Sequence, residues 1–482
     1  MNFHRTFRFV GILLFFLGLS MALPLLVSIV YKDGSAWALL LSIIVTSGSG
    51  LILFRGLKKE EDLLLTHRDG VAIVTIGWVS AGLAGAVPYI LTGAIPGFTN
   101  AYFESLSGFT TTGSSLLTNI EALPEGLIMW RSLTQWLGGM GIIVLSIAIL
   151  PFLGIGGMQL YKAEIPSPVV DKLKPRISDT ARVLWKLYFI ITLMEIIFLL
   201  AGGMSLFDSV CHAFCTMPTG GFSPKNASIA YYDSTYLDGV IVVFMLIAGI
   251  NFSLHYALIK GDFAIYKKDS ECRVFLILIF LLIIAVTLSL YGSVYDSILQ
   301  AFRYAAFQVS SIITTTGFAT ADYEKWPFFT QSILFVCMFL GGMAGSTGGG
   351  IKIMRIILLV KHSYQEIFRI IHPHAVTTVK LGGRPIPQEV LSSIWGFFIL
   401  YMGCFVAASV IMSLLGFDLV TSFTSVAACI FNVGPGLGMV GPADNFSVIP
   451  AAGKWLLIFC MLLGRLEIYT VIVLLIPEYW RK

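Results

Sequence analysis

Residues 110–114 read Thr110-Thr111-Thr112-Gly113-Ser114, and residues 314–318 read Thr314-Thr315-Thr316-Gly317-Phe318. Two further segments share the outline: Pro218-Thr219-Gly220-Gly221-Phe222 and Asn432-Val433-Gly434-Pro435. Each follows about ten semi-apolar residues that open on an aromatic residue and a side chain suited to capping a helix: Phe98 with Asn100, Phe207 with Asp208, Tyr295 with Asp296, and Phe417 with Asp418. Asn and Asp are good N-caps, so a short capped helix is predicted before each glycine. About ten apolar residues are too few to cross a bilayer, which takes about 20; such a run suits a helix that enters the membrane and turns back. With Gly221 taken in the second segment, the key glycines lie 108, 96 and 117 residues apart. A unit of about 100 residues occurring four times is an internal repeat.

The surrounding sequence is that of a membrane protein. It is 57% hydrophobic and 12% charged, with mean hydropathy +0.86, whereas a soluble domain carries roughly 25% charged residues. Eight runs satisfy the length needed to span: Phe9–Val30, Trp37–Phe54, Val71–Leu91, Val183–Ala201, Leu237–Ile259, Val274–Tyr291, Leu391–Leu415 and Trp455–Ile476. Leu127–Leu150 and Phe328–Val360 also qualify but contain glycine clusters, giving ten candidate spans. The first run is longer than the roughly 7–15 residues of a signal-peptide core and is read as a retained anchor. The expected fold is all-α and polytopic: four pseudo-symmetric helix–pore-loop–helix repeats around a central pore, plus two extra N-terminal helices. The units are placed at residues 1–62 (the extra helices), 63–160, 161–262, 263–365 and 366–482.

Charge orients the spans. With the N-terminus cytoplasmic, the segments on that side hold 24 of the 31 Lys and Arg residues. Glu121, Glu125, Asp233, Asp238, Asp322, Glu324 and Asp444 fall outside. The positive-inside rule therefore predicts both termini in the cytoplasm and all four glycine loops entering from the outer face.

Irregular backbone at membrane depth is tolerated only where it is buried or lines a water-filled cavity. Four such loops on one axis can present carbonyl oxygens to a dehydrated cation. Glycine allows the dihedrals this needs, and the short helices aim their partially negative C-termini at the same place. The plainer alternative is that the small residues only pack helices closely.

Below the third loop runs Gly341-Gly-Met-Ala-Gly345-Ser-Thr-Gly348-Gly349-Gly350-Ile-Lys352. Glycine costs a helix about 1 kcal/mol relative to alanine, so this run is predicted to be a non-helical loop inside the membrane. Arg465 lies well inside the last apolar run. A charge at mid-membrane costs at least ~2.5 kcal/mol and usually faces a cavity. Arg465 is expected to face the pore as a barrier to cations; the alternative is a pair with Glu104 or Glu195. Lys352 adds to that barrier or anchors the cytoplasmic side.

At these residues, together with Gln135-Trp136-Leu-Gly-Gly-Met-Gly141 and Gly464-Arg465-Leu-Glu467, the whole chain resembles the Trk/Ktr/HKT superfamily of potassium transporters, in its TrkH/TrkG branch. The resemblance implies a potassium filter made of Thr111, Thr112 and Gly113; Thr219, Gly220 and Gly221; Thr315, Thr316 and Gly317; and Asn432, Val433 and Gly434. Glycine in all four loops goes with potassium selectivity in this superfamily, and serine in the first loop with sodium permeation. The two glycines of the second loop leave its register open by one residue, and Pro435 breaks four-fold symmetry. The resemblance also makes 341–352 a gating loop, with Gly345, Gly348, Gly349, Gly350, Lys352 and Arg465 as gate elements. It implies a homodimer in the bacterial inner membrane, in contact with lipid, and a cytoplasmic nucleotide-binding regulatory subunit of the TrkA type. Basic segments 161–186 and 361–384 are candidate docking surfaces for that subunit.

No Gly-x-x-x-x-Gly-Lys-Ser/Thr run offers an ATP site, and neither an organic cofactor nor a nucleic-acid partner is expected. Potassium is the expected substrate. A sodium-permeable or proton-coupled transporter of the same fold is the nearest rival reading. A membrane-embedded enzyme is the rival from another class, but His212, His255 and the serines form no paired constellation in the sequence. The seven cysteines lack zinc-type spacing and read as small apolar residues.

Overall fold

The computed structural model describes residues 3–56, 67–148, 177–375 and 377–480. The unit boundaries at 62/63 and 160/161 lie outside the described residues. So do the basic residues Lys58, Lys59, Lys162, Lys172, Lys174, Arg176, Arg481 and Lys482.

The N-terminal pair packs through small residues. Helices α1 (Phe3–Ser20) and α2 (Ala22–Tyr31) run into one another, and α3 (Ala36–Gly56) returns beside them. A Cβ on Gly11 would lie 2.7 Å from the Gly50 carbonyl oxygen, and one on Gly18 would lie 2.7 Å from the Ser47 nitrogen. Such close backbones gain dispersion where lipid offers no hydrophobic drive.

Four units follow. In the first, α4 (His67–Thr92) leads to the short α5 (Phe98–Phe109), the Thr-Thr-Gly loop and α6 (Glu125–Ala148). The second has α7 (Ile177–Ala201), the short α8 (Leu206–Thr216), and then α9 (Thr235–Gly249) and α10 (Phe252–Ile259). The third has α11 (Ser270–Leu290), the short α12 (Ile298–Ile313), α13 (Phe328–Phe339) and α14 (Ile353–Ile371). The fourth has α15 (Gln388–Leu414), the short α16 (Leu419–Ile430), and then α17 (Ala451–Arg465) and α18 (Ile468–Ile472). A small hairpin, Lys380–Leu381 with Arg384–Pro385, joins the last two units.

Among the described residues, six helices are long and apolar enough to cross a membrane. Two of the runs expected to be single spans are broken instead: α9 meets α10 at 102°, and α17 meets α18 at 120°. Hydropathy summed over both halves hides such a break. The third unit breaks where the glycines predict, with residues 340–352 non-helical.

The short helices are present, but their caps differ from expectation. Only Asp418 caps as predicted, accepting from the Thr421 N–H at 3.2 Å. Ser205, not Asp208, caps α8. The helix α5 begins after Gly97, with Asn100 donating to the Pro96 carbonyl at 2.9 Å. The third short helix begins after Ser297, beyond Asp296, with no side-chain cap.

Candidate functional site

The four loops end their short helices in one way. The backbone N–H of Thr112, Gly220, Thr316 and Val433 donates to Ser107, Cys215, Ser311 and Ala428 at 2.8–2.9 Å. The next N–H, on Gly113, Gly221, Gly317 and Gly434, reaches the same carbonyl at 3.2–3.5 Å. The φ angles match: Thr111 +51°, Thr219 +56°, Thr315 +60° and Asn432 +54°, then Gly113 +84°, Gly221 +75°, Gly317 +82° and Gly434 +105°. This fixes the second loop's register, with Gly221 equivalent to the other key glycines and Gly220 to Thr112.

The loops form a closed ring. A Cβ on Gly113 would lie 2.2 Å from the Gly220 carbonyl oxygen, and one on Gly221 would lie 2.0 Å from that of Thr316. A Cβ on Gly317 would lie 2.1 Å from the Val433 oxygen, and one on Gly434 would lie 2.8 Å from that of Thr112. Each loop thus abuts the next, and the fourth abuts the first. The four glycines line a single open cavity of about 150 Å³, with Arg131, Lys225 and Asp444 also in its wall.

Side chains hold the ring from behind at one repeated position, seven residues before Thr111, Thr219 and Thr315. Glu104 accepts from the Leu116 N–H at 2.9 Å and pairs with Arg131 at 2.8 Å. Gln308 accepts from the Thr320 N–H at 3.1 Å. His212 donates from Nδ1 to the Asp208 carbonyl at 2.8 Å, which leaves Nε2 to accept from the Ser223 hydroxyl at 3.1 Å. Arg131 also donates to the Ser223 carbonyl at 3.0 Å and stacks 3.5 Å over Phe222. In the turn between α12 and α13, burial pushes the Glu324 carboxyl up against the lowering effect of the Gly438 N–H, and nearby Asp322 and Asp444 push it further up.

The glycine-rich loop 341–352 lies against the inner side of the ring. The Gly349 N–H donates to the Thr315 hydroxyl at 2.7 Å, and a Cβ on Gly349 would lie 2.5 Å from the Phe431 carbonyl oxygen. The Thr347 hydroxyl donates to the Met217 carbonyl at 2.9 Å. Met343 N–H donates to the Gly249 carbonyl at 2.9 Å, and Phe252 N–H donates to Gly345 at 3.2 Å, so the loop is stitched into the α9–α10 break. Glu271 accepts from the N–H groups of Ala344 at 2.9 Å and Met354 at 3.1 Å. Arg465 is buried and donates to the Thr347 carbonyl at 2.8 Å and the Gly138 carbonyl at 3.4 Å. It therefore ties the loop to α6 on the opposite side of the ring.

A family model described as a cation transport protein, TrkH, matches residues 41–482. The chain belongs to the TrkH family of cation transport proteins. It is 42% identical over 487 residues to the Trk system potassium uptake protein TrkH of Escherichia coli strain K12, covering 100% of both chains. It is 36% identical to TrkG of the same organism, covering 98% of this chain and 97% of the relative. The crystal structure of the potassium transporter TrkH from Vibrio parahaemolyticus matches with a TM-score of 0.92 at 39% identity, covering 100% of both chains.

Within this TrkH-family frame, the alternative partners considered for Arg465 are corrected. Glu104 is taken by Arg131, and Glu195 is buried with no ion pair to Arg465 among the described residues. Lys352 curls back to donate to the Gly348 carbonyl. His255 is committed to the α9–α10 break, donating from Nε2 to Ile247 at 2.8 Å while Nδ1 faces the Tyr266 hydroxyl at 2.6 Å.

Sequence reading missed three features. Asn251 caps α10 by accepting from the Ser253 N–H at 2.8 Å; a lone Asn inside an apolar run was its signal. Glu467, at φ +56°, pairs with Arg355 of α14 at 2.7 Å. Gln135 reaches across to the second loop. The last two contacts join residues more than 80 positions apart and leave no local trace.

Proposed function

We infer that the chain takes up potassium through a gated, channel-like pore, as the names of its relatives indicate for them. The observation that carries this reading is the closed ring: four glycines, each against the carbonyl of the next loop, lining one open cavity. Small backbone oxygens on a ring can replace an ion's water shell, and the four short helices direct partial negative charge there. The ion ligands are assigned to the carbonyls of the segments Thr111–Gly113, Thr219–Gly221, Thr315–Gly317 and Asn432–Gly434.

Loop 341–352 with Gly345, Gly348, Gly349, Gly350 and Lys352, fastened by Arg465, is the gate in this reading. It supports the assignment that the loop bonds directly to Thr315 beneath the ring. The driving force is the membrane potential, about 2.3 kcal/mol per charge per 100 mV. At ~150 mV that gives ~3.5 kcal/mol, over a hundred-fold accumulation, so the chain is assigned transport and not catalysis.

The finer points belong to the same reading. Both termini lie in the cytoplasm of a bacterial inner membrane, by the distribution of Lys and Arg. The repeats divide near residues 62, 160, 262 and 365. Two copies pair within the lipid, and a nucleotide-binding regulatory subunit docks on the cytoplasmic face, where segment 361–384 is basic.

Growth of a potassium-uptake-deficient bacterium at low external potassium tests the function. The intact chain is expected to restore growth. Gly113→Ser is expected to admit sodium, read as a raised sodium-to-potassium uptake ratio. An intact chain that reaches the membrane and restores nothing would refute potassium uptake; an unchanged ratio in Gly113→Ser would refute the filter.

A further inference from the structure

Two of the four loops brace themselves. In the first, the Thr110 and Thr112 hydroxyls bond one another at 2.8 Å, and in the third Thr314 and Thr316 do the same at 2.8 Å. The equivalent residues of the second loop are Pro218 and Gly220, which carry no hydroxyl. Its brace comes from elsewhere. Gln135 of α6 is fully buried, donates through Nε2 to the Gly220 carbonyl at 2.6 Å, and accepts at Oε1 from the Phe222 N–H at 3.1 Å. A Cβ on Gly220 would lie 2.4 Å from the Gln135 Cδ. The carboxamide therefore fills the space that the Thr112 and Thr316 side chains occupy in their own loops.

We propose that Gln135 is a selectivity-determining positioning residue: its carboxamide, spanning Gly220 and Phe222, sets the width of the ring on the side of the second loop. The proposal rests on the filter reading above. The physical argument is one of satisfied groups. A buried amide placed to serve one carbonyl and one N–H on either side of Gly221 fixes that peptide pair in one orientation. Removing it leaves the Phe222 N–H without an acceptor and frees the Gly220 carbonyl to swing, and a buried unsatisfied group costs about 1–3 kcal/mol. The Gly220 carbonyl is also the atom that packs on Gly113, so its movement is passed to the first loop. Loops one and three, braced by their own threonines, keep their shape. The defect is therefore one of ion discrimination more than of assembly.

The test uses the full-length chain reconstituted in planar bilayers, with sodium-to-potassium and rubidium-to-potassium permeability ratios read from reversal potentials. Gln135→Met keeps the length and loses both hydrogen bonds. It is expected to shift at least one ratio by roughly fivefold or more, the worth of one such bond in a ratio. Gln135→Glu keeps an acceptor for Phe222 and loses the donor to Gly220; it is expected to shift the ratio in the same direction, and it carries the test if the Met variant does not assemble. A threonine graft, Gln135→Ala with Pro218→Thr and Gly220→Thr, rebuilds in the second loop the hydroxyl pair of the other two. It is expected to bring the ratio back towards that of the intact chain, which a general packing defect would not allow. Gly113→Ser serves as the reference. If it shifts the ratios and the Gln135 variants do not, this proposal is overturned and the filter stands. If neither shifts them, the filter reading fails with it.

Discussion

The four loops repeat one set of backbone hydrogen bonds, whereas the helices that follow them take four different courses. In the first unit α6 runs unbroken through the level of Gly138 and Gly139. In the second the helix turns at Asn251, in the third it opens into a loop, and in the fourth it turns at Glu467. The upper layer, the four loops, shares one backbone, and each loop is wedged against the next, so a change in one is felt round the ring. The lower layer, the helices after the loops, differs from unit to unit. In the gated-pore reading loop 341–352 is the movable element, and the α9–α10 break supplies the Gly249 carbonyl and the Phe252 N–H that receive it.

The largest effect is expected where the ring leaves no room. Gly221→Ala places a Cβ 2.0 Å from the Thr316 carbonyl oxygen at φ +75°. Left-handed strain costs roughly 1–2 kcal/mol and overpacking about 1–3 more, so potassium uptake at equal membrane abundance is expected to fall by a few hundred-fold. Gly348→Ala in the lower layer meets nothing nearer than the Gly342 nitrogen at 3.1 Å and has no positive φ. It is expected to stay within about tenfold of the intact chain. Equal losses in initial uptake rate would mean that the two layers are not constrained differently.

Next in size is Arg465→Ala. A charge ~8 Å from an ion at an effective dielectric of ~20 opposes it by about 2 kcal/mol. The substitution also frees the Thr347 carbonyl from its bond to the guanidinium. Basal flux is expected to rise roughly thirty-fold in proteoliposomes. Arg465→Lys retains the charge and is expected to rise much less. If both variants leave flux where it was, the arginine is a packing strut and the lower layer does not gate.

The contrast between layers is also a contrast in legibility. Gly113, Gly221, Gly317 and Gly434 stand out in the sequence because a positive φ at a crowded position strains any side chain and favours glycine. The repeat and the glycine-rich loop could be read for the same reason. Thr111, Thr219, Thr315 and Asn432 are equally left-handed, but nothing in a threonine announces it; only the ring's hydrogen bonds hold them there. The breaks at Asn251 and Glu467 were hidden because two apolar half-helices sum to one apolar span. The partners of Arg355 and Gln135 come from other units, so sequence spacing carries no record of them. The short-helix starts were legible to within a few residues, but the capping side chain depends on which polar group is free: Asn100 is engaged with Pro96 and Lys454.

The smallest effect belongs to the residue that joins the layers most indirectly. Asn251 caps α10 and lies against Gly345, where a Cβ would come 2.9 Å from its side-chain nitrogen. Losing an Asn cap costs about 1 kcal/mol, which shifts a two-state gate by roughly fivefold. Asn251→Ala is expected to raise basal flux by about that factor, because the loop loses the wall on which Gly345 rests. Asn251→Ser keeps a capping oxygen and is expected to restore most of the closure. Ion ratios should be unchanged in both, since neither reaches the ring. A change in ratio without a change in basal flux would put Asn251 on the wrong side of the comparison and make the α9–α10 break part of the filter's support, not of the gate's.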